Sequence, residues 1–244
     1  MTSKSNRNLL IWVFLLFAGG FLLANISSCG KGAGNASPTG LNIQYEVLNL
    51  SPDLGPVNLF INFTQANAIG NPFIFGVNQG YFYVPSIVTP YQFRSALTTS
   101  DTPIPQLNAN QVLQSGAKYS LFIVGSYLSN SLDTIFTVDT SLAPKTGYGK
   151  LRFVNASPSA TGGLDVHANG TLAFPGVVYG KHSDYMQLPA GNYDLQIDAK
   201  GTTTILNEQP LVTIQDGRLY TLYAYGYNNV TDSATFNAAV ITNK

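Results

Sequence analysis

Residues 216–226 read DGRLYTLYAYG, and residues 115–125 read SGAKYSLFIVG. Gly217, Tyr220 and Gly226 fall on Gly116, Tyr119 and Gly125 at the same internal spacing. Each stretch is a β-branched and aromatic run bounded by glycine, which is the composition of a strand. Two further blocks repeat in the same order. VLNLSPDLGPVNLFIN at 47–62 matches FVNASPSATGGLDVHAN at 153–169, so that Asn49-Leu50-Ser51-Pro52 answers Asn155-Ala156-Ser157-Pro158. Between these blocks, Val84-Pro85 and Leu188-Pro189 precede Tyr91 and Tyr193. The offset falls only from 106 residues at Asn49/Asn155 to 101 at Tyr119/Tyr220. Ordered blocks at a nearly constant offset mark one unit written twice.

A unit of about 100 residues can bury its own core. Its signals are those of strands throughout. In LNIQYEVLNL, at 41–50, Ile43, Tyr45 and Val47 alternate with polar partners. AGNYDLQIDAKGTTTIL, at 190–206, reads as a hairpin turning at Ala199-Lys200-Gly201. No stretch after the N-terminal segment keeps a 3.6-residue apolar period. The pattern predicts an all-β chain with two tandem β-sandwich domains. The turn formers of APKTGYG place their boundary near Pro144–Gly149, giving repeats over 41–146 and 147–244.

The second copy resembles a known family on three blocks: GKLRFVNASPSATGGLDVHANGT at 149–171, YGKHSDYMQLPAGNYDLQI at 179–197, and GRLYTLYAYG at 217–226. They are similar to the DUF4397 domain of secreted bacterial proteins, with its Asn-Ala-Ser-Pro, Asp-Val-x-x-x-Gly and Leu-Pro-Ala-Gly-x-Tyr elements. The first copy departs from it, with Asn58 in place of Asp165 and VPSIVTPY in place of LPAGNY. The resemblance implies an immunoglobulin-like or transthyretin-like sandwich and brings no catalytic residues.

Residues 1–28 carry Lys4, Arg7 and no acid, and an unbroken apolar block runs from Leu9 to Ala24. A basic start followed by such a block is the pattern of an export signal. The block is shorter than the roughly 20 residues that span a bilayer comfortably. The chain's one cysteine, Cys29, follows directly. Ile26-Ser27-Ser28-Cys29 resembles the lipobox of bacterial lipoproteins, with Ile26 and Ser28 where Leu and Gly or Ala are usual. That resemblance implies cleavage before Cys29 and acylation of its sulfur and new amino group, palmitate being a typical chain. Several acyl chains hold a protein far better than one. From Gly30 to Gly40, GKGAGNASPTG has nothing apolar larger than alanine. Such a tether over 29–40 has a mean reach of about 18 Å. The missing acids after Cys29 fit outer-membrane delivery and leave the choice of face open.

The chain carries 12 acids and 12 Lys or Arg, and two of the bases lie before Cys29. The remainder is sparsely charged and has no basic patch, which excludes nucleic acid as a partner. No nucleophile elbow, metal-binding helix motif or phosphate loop is present. His182, Ser183 and Asp184 are neighbours in YGKHSDY, but adjacent residues on a strand face opposite ways. His167 alternates with Asp165 in LDVHA, and Asp165 reads as a turn-bonding residue rather than a ligand. The expectation is no catalytic residue, no metal and no cofactor.

Three readings follow. The first is a non-enzymatic, lipid-anchored envelope protein acting by binding or by envelope interactions. The second is a glycan-binding accessory or adhesion protein, suggested by the 14 tyrosines. The last is a hydrolase using carboxylates such as Asp165 and Asp184. Asp133-Thr134-Ile135 and Asp232-Ser233-Ala234 also resemble the Asp-Ser/Thr-apolar acceptor of O-glycosylation in exported Bacteroidetes proteins, which marks Thr134 and Ser233.

Overall fold

The glycine-punctuated runs all become strands. The computed structural model describes residues 40–243 except 87, 99–101, 108–112, 229 and 233. The export segment, Cys29 and the tether up to residue 39 therefore lie outside the described residues, as does Ser233. In the first copy the strands are β1 (Asn42–Asn49), β2 (Val57–Ile61), β3 (Thr64–Gln65), β4 (Phe82–Pro85), β5 (Tyr91–Ser95), β6 (Lys118–Val124) and β7 (Asp133–Val138). They form two sheets, β4-β1-β6-β7 and β3-β2-β5. In the second copy they are β8 (Tyr148–Asn155), β9 (Leu164–Ala168), β10 (Thr171–Val177), β11 (Lys181–His182), β12 (Met186–Pro189), β13 (Gly191–Ala199), β14 (Ile205–Ile214), β15 (Leu219–Tyr225) and β16 (Asn237–Thr242). One sheet has the order β11-β8-β15-β16 with β12 also on β8, and the other is β10-β9-β13-β14. Apart from one short 3-10 turn at Pro105–Leu107, the regular elements of the described residues are all strands, with a sandwich in each copy.

The duplication extends to pairing and hydrogen bonds. β1 runs parallel to β6, and β8 runs parallel to β15. Tyr119 Oη accepts the Gln114 N–H at 3.0 Å, and Tyr220 Oη accepts the Gln215 N–H at 3.1 Å. Tyr91 Oη donates to Pro85 O at 2.8 Å, and Tyr193 Oη donates to Pro189 O at 2.9 Å. The copies differ at two strands, since neither the short β11 nor β14 has a counterpart among the described residues of the first copy. β13 and β14 form the expected hairpin, with Gly201 at φ +70° in its turn. No described strand of the first copy answers β14. The Ile104 N–H bonds Phe93 O of β5 at 2.8 Å in its place.

Each copy has its own core, built from residues such as Tyr45, Leu59, Phe93 and Leu121 in one and Phe153, Val166, Leu195 and Leu222 in the other. The face of β1 opposite Ile43, Tyr45 and Val47 carries Gln44 and Glu46 but also Leu48, and it is buried too: Leu48, Leu50, Phe122 and Val124 pack against Val154, Ala156, Tyr223 and Tyr225. The β1/β6 and β8/β15 sheets lie face to face, so both are buried on two sides. Every residue of β15 is buried. Four sheets stack as layers around three apolar clusters.

The contact between copies is isologous: equivalent positions meet across it. Phe122 meets its own counterpart Tyr223, with ring centroids 5.7 Å apart. Phe75 and its counterpart Tyr179 both pack on the shared cluster. Such self-pairing is the mark of a two-fold interface.

Candidate functional site

A group of interacting charged side chains lies within this interface. Glu46 on β1 and Arg152 on β8 occupy equivalent positions and are 1% and 2% exposed. Arg152 Nη2 pairs with the Asp139 carboxylate, and both side chains are buried. Its Nε donates to Thr221 Oγ1 at 2.8 Å, and its Nη1 donates to Val138 O at 2.9 Å. Asp139 also accepts Ser120 Oγ–H and Tyr81 Oη–H, each at 2.6 Å. Asn243 receives Thr221 Oγ1–H at 2.7 Å and donates to Tyr81 Oη at 2.7 Å. Ser120 and Thr221, Asp139 and Asn243, and Tyr81 and Tyr185 are again equivalent pairs. Buried charges are tolerated only when paired and hydrogen-bonded, and this network meets that demand from both copies.

One group is only partly compensated. Burial pushes the Glu46 carboxyl up to about 7, Asp139 adds to the rise, and Ser120, Asn78 and Arg152 act in the opposite sense. The network is thus a closed polar lock with a protonatable member, rather than a cleft open to substrate. The sequence shows no local sign of it, because its members are scattered from residue 46 to residue 243. The signal that could have found the interface is the unbroken run YTLYAY, since strands buried on both faces lose their alternation.

The predicted site residues separate in space. Asp165 is buried, and its two oxygens accept the Gly176 N–H at 2.6 Å and the Gly201 N–H at 2.8 Å. It therefore ties the β10 bulge to the β13–β14 turn, beyond the local turn expected of it. Asp184 is exposed and precedes β12 on the other sheet of that copy. His182 Nδ1 lies 3.0 Å from Ser183 O, and Ser183 Oγ donates to Asp184 O at 2.9 Å. These contacts are local and do not assemble a triad. His167 Nδ1 sits 2.8 Å from Asp198 Oδ2 across β9 and β13. Among the described residues, no group of three or more His, Cys, Asp or Glu side chains could hold a metal. Thr134 lies on β7, half-buried, with Asp133 Oδ1 accepting its N–H at 2.7 Å.

The Asn-x-Ser-Pro tetrads are turn anchors. Asn49 Oδ1 accepts the Ser51 N–H at 3.2 Å, and Asn155 Oδ1 accepts the Ser157 N–H at 3.1 Å. Their amides reach across the sandwich, from Asn49 to Gly55 O and from Asn155 to Val177 O, each at 2.8 Å. Tyr119, Tyr220, Tyr223 and Tyr225 are all buried. Tyr127 is different. It is 53% exposed beside Leu128, in a loop fixed by the Asp53 carboxylate, which accepts the Tyr127 N–H at 2.8 Å and Ser126 Oγ–H at 2.5 Å. Burial raises the Asp53 pKa, but the bonds from Ser126, Tyr127, Leu128 and Ser51 outweigh it and hold the carboxyl below its ordinary value. A shallow depression of about 220 Å³ lies near the same end of the second copy, between Ser159, Gly163, Lys200 and Asn228.

No curated protein is similar enough to this chain to match it. The family model described as "Domain of unknown function (DUF4397)" matches residues 44–162 and again residues 159–244. Two matches covering most of the chain, on two copies that share strand pairing, turn anchors and tyrosine bonds, make this protein a member of the DUF4397 family with the domain in tandem.

Proposed function

We propose that this chain is a non-enzymatic, lipid-anchored protein of the bacterial cell envelope, held in the outer membrane through acyl chains on Cys29 and acting as a binding module. The observation that carries this reading is the order of the N-terminal residues: a basic start, the apolar block from Leu9 to Ala24, Cys29, then a tether without apolar side chains. The fold supports it as a spacer of fixed shape, because both copies are locked into one stack. Labelled palmitate should enter the wild-type chain and be absent from Cys29→Ser. Intact mass of the native protein should show the diacylglycerol and amide-linked chains and nothing before residue 29. Sugar mass beyond these would implicate Thr134 or Ser233. Reproducible turnover by the purified protein, lost on changing one acid or histidine, would refute the non-enzymatic part.

Glycan capture is the second reading, and Tyr127 favours it. An exposed ring on an anchored loop offers a sugar an apolar face with a polar tip. Affinity electrophoresis on a panel of polysaccharides should then show retardation that Tyr127→Ala abolishes. Protease shaving of intact cells decides which side of the membrane a partner must occupy.

A further inference from the structure

The two ends of the stack are chemically different. β1 leads away from Gly40 and Leu41, and β2 returns toward them, so the Asn62-Phe63 turn lies at the end where the tether joins. The Ser86 N–H bonds Leu41 O at 2.8 Å and the Asn62 N–H bonds Pro90 O at 3.0 Å, which hold this proximal end together. The second copy points the same way. Lys118 Nζ at the start of β6 donates to Asn243 O at 2.9 Å, and the Asn243 N–H bonds Leu219 O at the start of β15 at 2.7 Å. The Asn169-Gly170 turn is therefore proximal too. So is the bulge at Leu211, whose N–H bonds Asp194 Oδ1 at 2.9 Å next to that turn.

Asparagine tolerates left-handed backbone, whereas bulky side chains disfavour it. Among the described non-glycine residues with positive φ, three are asparagines and the others are Phe63 at +66° and Leu211 at +55°. Both are apolar, both are proximal, and they are 65% and 74% exposed. The second copy has Gly170 where the first has Phe63. Charge divides in the same sense. Lys118, Lys145, Lys150 and Arg218 lie proximally with Asp139, Asp194 and Asp216, whereas Asp53, Asp133, Asp165, Asp198 and Asp232 lie distally with Arg94, Lys181 and Lys200. Exposed apolar residues at the distal end, such as Leu128, thus sit among acids.

We infer that the proximal end rests on an anionic phospholipid surface, with Phe63 and Leu211 dipping into the headgroup–acyl boundary and Lys145 and Arg218 facing the headgroups. The inference rests on the lipoprotein reading, since the reach of the tether, about 18 Å, brings this end to the bilayer. Exposed aromatic side chains favour such interfaces, and basic residues add attraction to anionic lipid.

The chain's one tryptophan is Trp12, so Trp12→Phe gives a silent background for reporters. Phe63→Trp, Leu211→Trp and the distal control Leu128→Trp are each made in the full chain. They are reconstituted with vesicles of phosphatidylethanolamine and phosphatidylglycerol brominated in the acyl chains. Emission at 63 and 211 should shift to the blue and be largely quenched, while emission at 128 stays unchanged. Quenching should fall when phosphatidylcholine replaces phosphatidylglycerol. Unquenched emission at 63 and 211, or equal quenching at all three positions, overturns the inference. Intact mass reports acylation of Cys29 separately. An acylated chain with unquenched reporters loses only the lipid contact. An unacylated chain loses the lipoprotein reading, and the same quenching on added vesicles still decides the contact.

Discussion

Gly125 and Gly226 show what a single residue must do here. Both have positive φ, +87° and +81°, at the end of a central strand. A Cβ on either would press into the backbone carbonyl of Ser131 or of Thr235. Gly125→Ala and Gly226→Ala should each cost about 2–3 kcal/mol, from strain and displaced backbone, read as a lowered denaturation midpoint with an unchanged m-value. Gly116→Ala, with nothing within 4 Å of its Cβ, should cost less. Glu46 makes the other prediction at this scale. Its carboxyl titrates near 4.5 in an unfolded chain and at about 7 in the fold. Between those values the folded state holds the extra proton, so stability falls as pH rises through the window and levels off above it. Glu46→Gln should flatten this decline and gain on the order of 1–3 kcal/mol over wild type above pH ~7. An unchanged pH profile of unfolding would show that the carboxyl is not held protonated. The paired glycines were legible because the copies repeat them. The unusual state of Glu46 was not, since it comes from residues far along the chain.

The hairpins illustrate the element scale. Asn62-Phe63 and Asn169-Gly170 are equivalent two-residue turns with both residues at positive φ. Such turns favour Asn-Gly, and only the second copy complies. Phe63→Gly should therefore stabilise the protein by about 1 kcal/mol, seen as a raised midpoint. No gain would mean that Phe63 packs well enough to offset its backbone. Most strands were legible from punctuation and side-chain type, and the hairpin at Ala199-Lys200-Gly201 was placed correctly because its turn residues are local. The parallel pairing of β1 with β6 was not legible, because its partners lie about 75 residues apart and no local signal joins them.

At the scale of the whole molecule, the duplication reads as a dimer fused into one chain. Equivalent residues meet across the interface, and divergence has turned one equivalent pair, Glu46 and Arg152, into opposite charges. The copies themselves were legible from repetition. Their packing was not, because the outward side of β1 offers Leu48 next to Gln44 and Glu46, a mixed pattern that fits a solvated face equally well. Removing one partner of a buried pair leaves a charge in a poor medium. Arg152→Ala should thus cost about 3–5 kcal/mol, and calorimetry should show both copies shifting in a single transition. A shift confined to one of two resolved transitions would mean that the copies fold independently. The stronger test is to cut the chain. Residues 41–146 alone would expose Leu48, Leu50, Phe122 and Val124 as one apolar patch with Asp139 unpaired beside it. That half should aggregate when produced alone and become soluble as a complex when residues 147–244 are co-expressed. A monodisperse, stably folded first half would show that the interface adds nothing to its stability, and the fused-dimer reading would fall.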